Sequence, residues 1–153
     1  MLPRTYDTQV CSIARALELV GDRWTILVIR EAFMGTRRFE DYQRKLDCAR
    51  NVLTDRLNRL VEAGVMRKRL YQERPPRYEY SLTRMGVELW PATMALKTWG
   101  DRYFAENGPP VRVLHTDCGG ELDERMHCAR CGAELEPSDV YAVPGPGLEA
   151  VRS

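Results

Sequence analysis

The chain of 153 residues is 44% hydrophobic and 29% charged, with a formal net charge of +1, a balance that excludes a disordered or fibrous protein. No apolar run approaches the roughly 18 residues that a membrane-spanning helix needs. The opening segment MLPRTYDTQV has no apolar core that could direct secretion, so a cytoplasmic location with no membrane partner is expected.

In chain order, Ile13, Ala16, Leu17 and Val20 repeat with the spacing of one helix face. Gly21 ends that helix and Asp22 stands as an N-cap for the next. The next helix, Trp24 to Phe33, is apolar nearly all round, which predicts a central position in the core. Gly35-Thr36 breaks it. A short helix follows from Phe39 to about Leu46, with Phe39, Tyr42 and Leu46 inward. After the turn Asp47-Cys48-Ala49, a longer helix runs from Arg50 to Ala63, with Leu53, Leu57, Leu60 and Val61 facing the core. Its other face carries Asn51, Thr54, Asp55, Asn58 and Glu62. Short helix, tight turn and amphipathic helix with a polar face form the pattern of a helix-turn-helix.

The basic segment Val65 to Tyr71 and the alternating segment Arg77 to Leu82 flank a turn with two prolines, which reads as a hairpin, or wing. Thr83 caps a helix running toward Phe104, and Pro91 marks a kink or restart. Its face of Leu89, Met94, Leu96, Trp99 and Tyr103 is broader than a small domain needs, which predicts dimerisation. The sequence Asn107-Gly108-Pro109-Pro110 is the expected domain boundary. The fold class is thus mainly α (α+β): a winged helix-turn-helix over residues 1–106 and a small module over 111–142. A disordered tail is expected over 143–153.

Charge follows the same division. Residues 1–110 carry 19 Lys and Arg against 14 Asp and Glu, whereas residues 111–153 carry 4 against 8. From Arg37 to Arg77 the count is 12 against 6, the footprint expected of a partner rich in phosphate. Duplex DNA is that partner. Arg50, Asn51, Thr54 and Asn58 are the candidates for base edges, since amides pair with adenine, arginine with guanine, and a threonine methyl packs on thymine. Asp55 either accepts from a cytosine amino group or orients Arg59 one turn on, and the second is expected. Arg37, Arg38, Arg67, Lys68, Arg74 and Arg77 are the candidates for phosphates, with Arg74 or Arg77 reaching the minor groove.

The C-terminal module holds His115-x-x-Cys118-Gly and Cys128-x-x-Cys131-Gly. Two ligand-type residues separated by two others and followed by glycine form a tight knuckle. Two such knuckles can close a tetrahedral Cys₃His site for structural zinc, which would supply most of the folding free energy of so short a module. His127 is an alternative to His115, although its adjacency to Cys128 strains joint coordination. Catalysis is not expected, because no general base stands beside the ligands, no glycine loop cradles phosphate, and no nucleophile is paired with histidine. A protein adaptor built on a winged helix is the competing reading, and the basic stretch argues against it.

The run Leu17-Glu18-Leu19-Val20-Gly21-Asp22-Arg23-Trp24, with Leu53-Thr54-Asp55-Arg56-Leu57, Gly64-Val65, Tyr80-Ser81-Leu82-Thr83-Arg84-Met85-Gly86 and Trp99-Gly100, resembles the HxlR family of bacterial regulators, related to the MarR group. The resemblance covers residues 11 to about 104. It implies a homodimer that binds a two-fold related operator and alters transcription, with helices at both ends of the domain in the interface. It also makes Cys11 a candidate redox sensor, and an oxidant or small molecule the candidate effector.

Overall fold

The computed structural model describes residues 6–152. The helices that precede the wing are α1 (Ser12–Val20), α2 (Thr25–Phe33), α3 (Phe39–Leu46) and α4 (Arg50–Glu62). Strands β1 (Met66–Gln72) and β2 (Arg77–Leu82) follow, then α5 (Arg84–Val87) and α6 (Trp90–Phe104). The chain closes with β3 (Val111–His115), β4 (Val140–Pro144) and α7 (Pro146–Arg152). The predicted mainly α architecture with a small C-terminal module is what forms. Among the described residues no helix is long and apolar enough to cross a membrane.

Proximity divides the chain into two units, one ending at Glu88 and one beginning at Leu89. In the first, Val28 and Ile29 of α2, Tyr42 and Leu46 of α3, and Leu53, Leu57 and Leu60 of α4 are buried together with Val65 and Met66. The helical residues come from the apolar positions of their own helices, and Val65 and Met66 join them from the start of the wing, so helical periodicity converts into one shared core. Three turns hold a left-handed residue: Gly35 after α2 has φ 88°, Asp47 after α3 has φ 50°, and Gly64 after α4 has φ 80°. Glycine takes such values without strain.

The wing is an antiparallel hairpin running from Met66 opposite Leu82 to Gln72 opposite Arg77, with an irregularity between Leu70 and Gln72. Its root is pinned, because the Tyr80 amide donates to the Arg37 carbonyl at 2.8 Å. The fully buried Tyr42 hydroxyl donates to the Thr36 carbonyl at 2.8 Å, so α3, the loop before it and β2 meet at one point. Beyond the wing the expected long helix is two helices. Thr83 caps α5 by accepting from the Gly86 amide, and Pro91 lies in the first turn of α6, where its missing N–H costs nothing. A side chain at Gly86 would place Cβ 2.2 Å from the Val65 carbonyl oxygen, so the approach of α5 to the strand requires glycine.

The apolar face of α1 is left uncovered: Ile13 is 70% exposed and Leu17 44%. In the second unit Leu96, Trp99, Tyr103 and Phe104 of α6 are likewise exposed, the Trp99 ring meeting Tyr103 and Phe104 at centroid distances of 5.7 and 5.1 Å. Strands β3 and β4 pair antiparallel, His115 opposite Val140. The two units divide before α6 rather than at Asn107–Pro110, so α6 groups with the C-terminal module.

The tail expectation is corrected. Residues 140–144 form β4 and 146–152 form α7. The prolines and glycines that suggested disorder make a close backbone contact instead. The Gly145 amide donates to the Pro110 carbonyl at 2.9 Å, and a Cβ on Gly145 would stand 2.2 Å from the Pro109 carbonyl oxygen. Here glycine serves proximity rather than flexibility.

The start of α2 is held by one carboxylate. Asp22 Oδ1 accepts from the amides of Trp24 at 2.9 Å and Thr25 at 3.1 Å, and from Arg56 Nε of α4 at 2.7 Å. Burial alone would raise this carboxyl, but hydrogen bonds from Thr25 and Trp24 and the Arg56 guanidinium outweigh it and hold the group below the ordinary carboxylate value. A carboxyl depressed in the folded chain stabilises it above the unfolded value, near 4, and loses that contribution as pH falls through the lower folded value. Asp22→Asn is therefore expected to cost about 1–2 kcal/mol at neutral pH. Urea denaturation of both proteins from neutrality down to pH 3 should show the gap narrowing below about pH 4.

Candidate nucleic-acid interface and metal-binding cluster

The polar face of α4 is where sequence periodicity placed it. Arg50, Asn51, Thr54, Asp55 and Asn58 are exposed while Leu53, Leu57 and Leu60 are buried. Thr54 donates its hydroxyl to the Arg50 carbonyl at 2.8 Å. The Arg50 guanidinium lies over the Phe39 ring, 4.7 Å from its centroid. Asn51 and Asn58 have no side-chain hydrogen bond among the described residues, so their amides are free to pair.

The basic residues divide by what already holds them. Arg37 donates Nη1 to the carbonyls of Ala32 at 3.0 Å and Thr36 at 2.9 Å, which closes the end of α2 and leaves less of its hydrogen-bonding capacity for a phosphate. Arg38 lies over the Tyr71 ring at 4.6 Å. Arg67 donates to the Ser81 hydroxyl at 3.0 Å, and Lys68 Nζ sits 4.0 Å from the Tyr78 ring centroid. These contacts hold the cationic ends of Arg38, Arg67 and Lys68 against the hairpin while the residues stay exposed. Arg74 and Arg77 stand exposed at the wing tip with no side-chain partner among the described residues.

Two residues that position the helix escaped the sequence reading. Arg56 reaches Asp22, and Arg59 Nη2 donates to the Glu18 carbonyl of α1 at 2.7 Å. The partners lie in the turn before α2 and on α1, 34 and 41 residues away, where periodicity within a helix carries no signal. The expected Asp55–Arg59 pair does not form, because Arg59 is committed to Glu18. Asp55 pairs with Arg56 instead.

In the second unit His115, Cys118, Cys128 and Cys131 come together, with one donor atom from each within 4.8 Å of the others. Both knuckles share one design. The Gly119 amide donates to the His115 carbonyl and the Gly132 amide to the Cys128 carbonyl, each at 2.8 Å, with φ of 71° at Gly119 and 76° at Gly132. His115 Nδ1 is 3.4 Å from the sulfurs of both Cys118 and Cys131, and Cys118 Sγ is 3.3 Å from Cys128 Sγ. A zinc tetrahedron with ordinary bond lengths has edges of about 3.5–3.8 Å, so the four donors fit such an ion with little adjustment. The Cys131 amide, and after it that of Arg130, donates to Cys128 Sγ and draws this thiol down to about 6 against the opposing effect of burial. The shift favours the thiolate, the form that binds metal. His127 is outside the cluster, its Nδ1 2.7 Å from the Arg125 carbonyl oxygen, which removes it as the alternative ligand.

The remaining cysteines are separate. Cys48 is buried at the turn between α3 and α4, and burial pushes its thiol up. Cys11 is exposed at the start of α1.

A helix-turn-helix with an outward polar face, a basic wing behind it and a family match all point one way. The HxlR-like helix-turn-helix model matches residues 19–108. The chain belongs to the HxlR-like helix-turn-helix family. An uncharacterised HTH-type transcriptional regulator of Mycobacterium tuberculosis is 45% identical over 140 residues, 91% of this chain and 89% of that protein. Among solved structures, the candidate transcription factor PA1607 is similar over 88% of this chain and 94% of its own, at 36% identity and a TM-score of 0.71. The redox regulator HypR in its oxidised form matches 60% of this chain and 96% of its own, at 29% identity and a TM-score of 0.56. This HxlR-like protein is a transcriptional regulator with a DNA-binding fold, and not an enzyme.

Gly120 is the packing constraint of the cluster, because a Cβ there would lie 2.4 Å from Cys128 Sγ and 2.6 Å from Arg130 Cβ. Gly120→Ala is expected to destabilise the module by about 1–3 kcal/mol through overpacking. Hydrogen exchange of residues 111–144 should accelerate while that of residues 25–82 stays as in the wild type.

Proposed function

We propose that the protein acts as a homodimer that reads a pseudo-palindromic operator. Helix α4 would lie in the major groove and the wing on the flanking backbone. The observation that carries this reading is the exposed polar face of α4 on a helix anchored by Leu53, Leu57, Leu60, Arg56 and Arg59. Arg50, Asn51, Thr54 and Asn58 meet base edges in this reading. Arg37, Arg38, Arg67, Lys68, Arg74 and Arg77 meet phosphates, Arg37 with the reduced capacity noted above. The uncovered apolar faces of α1 and α6 support the dimer, since a monomer would leave both in water.

Phosphate and base contacts separate experimentally. Arg77→Ala should weaken binding to specific and random duplexes alike and reduce the salt slope by about one unit. Asn51→Ala should instead erode discrimination at one position of each half-site, by roughly 1–3 kcal/mol. Salt titrations on both duplexes test this, and uniform losses for both variants would count against Asn51 as a reader. A protein adaptor would show no binding to any duplex in the same assay.

His115, Cys118, Cys128 and Cys131 hold one structural zinc ion in this reading. Four protein ligands leave no open position for substrate, so the ion's contribution is folding free energy. Elemental analysis of protein purified without chelator should give one zinc per chain. Cys131→Ser should abolish tight binding and unfold the module while residues 12–82 keep their helices. Substoichiometric metal with three freely alkylated thiols in a folded module would overturn the assignment.

Cys11 is the proposed redox sensor. It is exposed and adjoins the first turn of α1, whose apolar face is open. One structural neighbour, HypR, is a redox regulator. Cys11→Ser is expected to remove the response of DNA binding to peroxide, quinones and diamide; an unchanged response in gel-shift titrations ends this role.

A further inference from the structure

We propose that Asp55 is a base-reading residue of α4, set to accept a hydrogen bond from the exocyclic amino group of a cytosine, with Arg56 as its positioning residue. The inference rests on the DNA-binding reading above and deepens it.

An acidic side chain on a DNA-facing helix surface calls for a physical account, because a bare carboxylate repels phosphate. Asp55 lies on the face that carries Asn51 and Asn58, one turn to either side, and its side chain is 55% exposed. The intrahelical partner that sequence spacing offers, Arg59, is spent on the Glu18 carbonyl. Asp55 Oδ2 is instead held by Arg56 Nη1, while Arg56 Nε holds Asp22 Oδ1 at 2.7 Å. Asp22 is in turn fixed by the amides of Trp24 and Thr25.

A continuous line of charge-assisted bonds therefore runs from the start of α2 through Arg56 to the reading face. Side chains of Asp22 and Arg56 are only 20% and 22% exposed, so the line is rigid where it leaves the core. The guanidinium offsets the charge that would repel phosphates and leaves Asp55 Oδ1 without a hydrogen bond among the described residues. A preorganised, partly neutralised acceptor is what base reading requires.

The chemistry of the groove selects the partner. A carboxylate only accepts hydrogen bonds. In the major groove donors are offered by cytosine N4 and adenine N6. Adenine presents its N7 acceptor beside N6, which suits an amide and repels a carboxylate. Cytosine presents its amino group without an adjacent N7, and is the base an aspartate prefers.

The test is selection from a random duplex pool with full-length wild type, Asp55→Ala, Asp55→Asn and Arg56→Gln. The wild-type motif should contain one cytosine per half-site whose preference Asp55→Ala removes while the other positions persist. Asp55→Asn should move that position toward adenine, and Arg56→Gln should blunt it. On the selected operator, changing this cytosine to thymine should weaken wild-type binding about tenfold and Asp55→Ala less than about twofold. Asp55 is exposed, so its variants test the reading even where Arg56→Gln lowers stability. If both Asp55 variants enrich the wild-type motif and merely bind every duplex more tightly, the residue is only a repulsive charge and the inference is overturned with operator binding intact. Unchanged cytosine preference in folded Arg56→Gln overturns the positioning role. A wild-type protein that enriches no sequence overturns both readings.

Discussion

The Asp22 carboxylate is the contact on which the geometry of the first unit depends. A helix start leaves its first amides without intrahelical partners. Here one oxygen takes two of them and also receives the Arg56 guanidinium from α4. The end of α1 is tied to the same helix through Arg59 and the Glu18 carbonyl. Apolar packing of Leu53, Leu57 and Leu60 sets the rotation of α4 about its axis, but apolar contact alone tolerates sliding. Charge-assisted hydrogen bonds at 2.7 Å are directional and fix the helix along its length. Together the two constraints fix both the rotation of α4 and its position along its axis.

The two units depend on different stabilising forces. The first has a core of interlocking helical stripes, with Val28, Ile29, Tyr42 and Leu57 fully buried. In the module Leu135, Cys128 and His115 are the buried centre, too little apolar surface for a chain segment of that length. Gly120 and Gly145 bring sulfur and backbone into close approach in place of side-chain volume. The helices α1 and α6 share a different property: each keeps one apolar face in water.

Much of this was legible in the sequence, and the exceptions have a common cause. Helix α3 and strand β2 begin and end where periodicity and turn residues put them, because each has a strong local pattern with turn residues beside it, Asp47 after α3 and the two prolines before β2. The Cys₃His set was legible because knuckle spacing is a local property. The partners of Arg56 and Arg59 were not, since they are set by how helices cross. Asp55 was assigned to Arg59 by spacing along one helix, and a tertiary bond outcompeted it. The Pro-Gly tail was misread for a related reason: composition registers backbone freedom, while the close contact that absorbs it at Pro109 and Pro110 is not local.

The wing has the mechanics of a cantilever. Its root is clamped by the Tyr80–Arg37 bond and the buried Tyr42 hydroxyl, whereas the turn from Glu73 to Pro76 is exposed. Loop tips of this kind accept insertions and deletions at little energetic cost. Lengthening or shortening the turn would change how far Arg74 and Arg77 reach from the root without disturbing Tyr80 or α4. The reach of the wing-tip cations is thereby separable from the core that carries them.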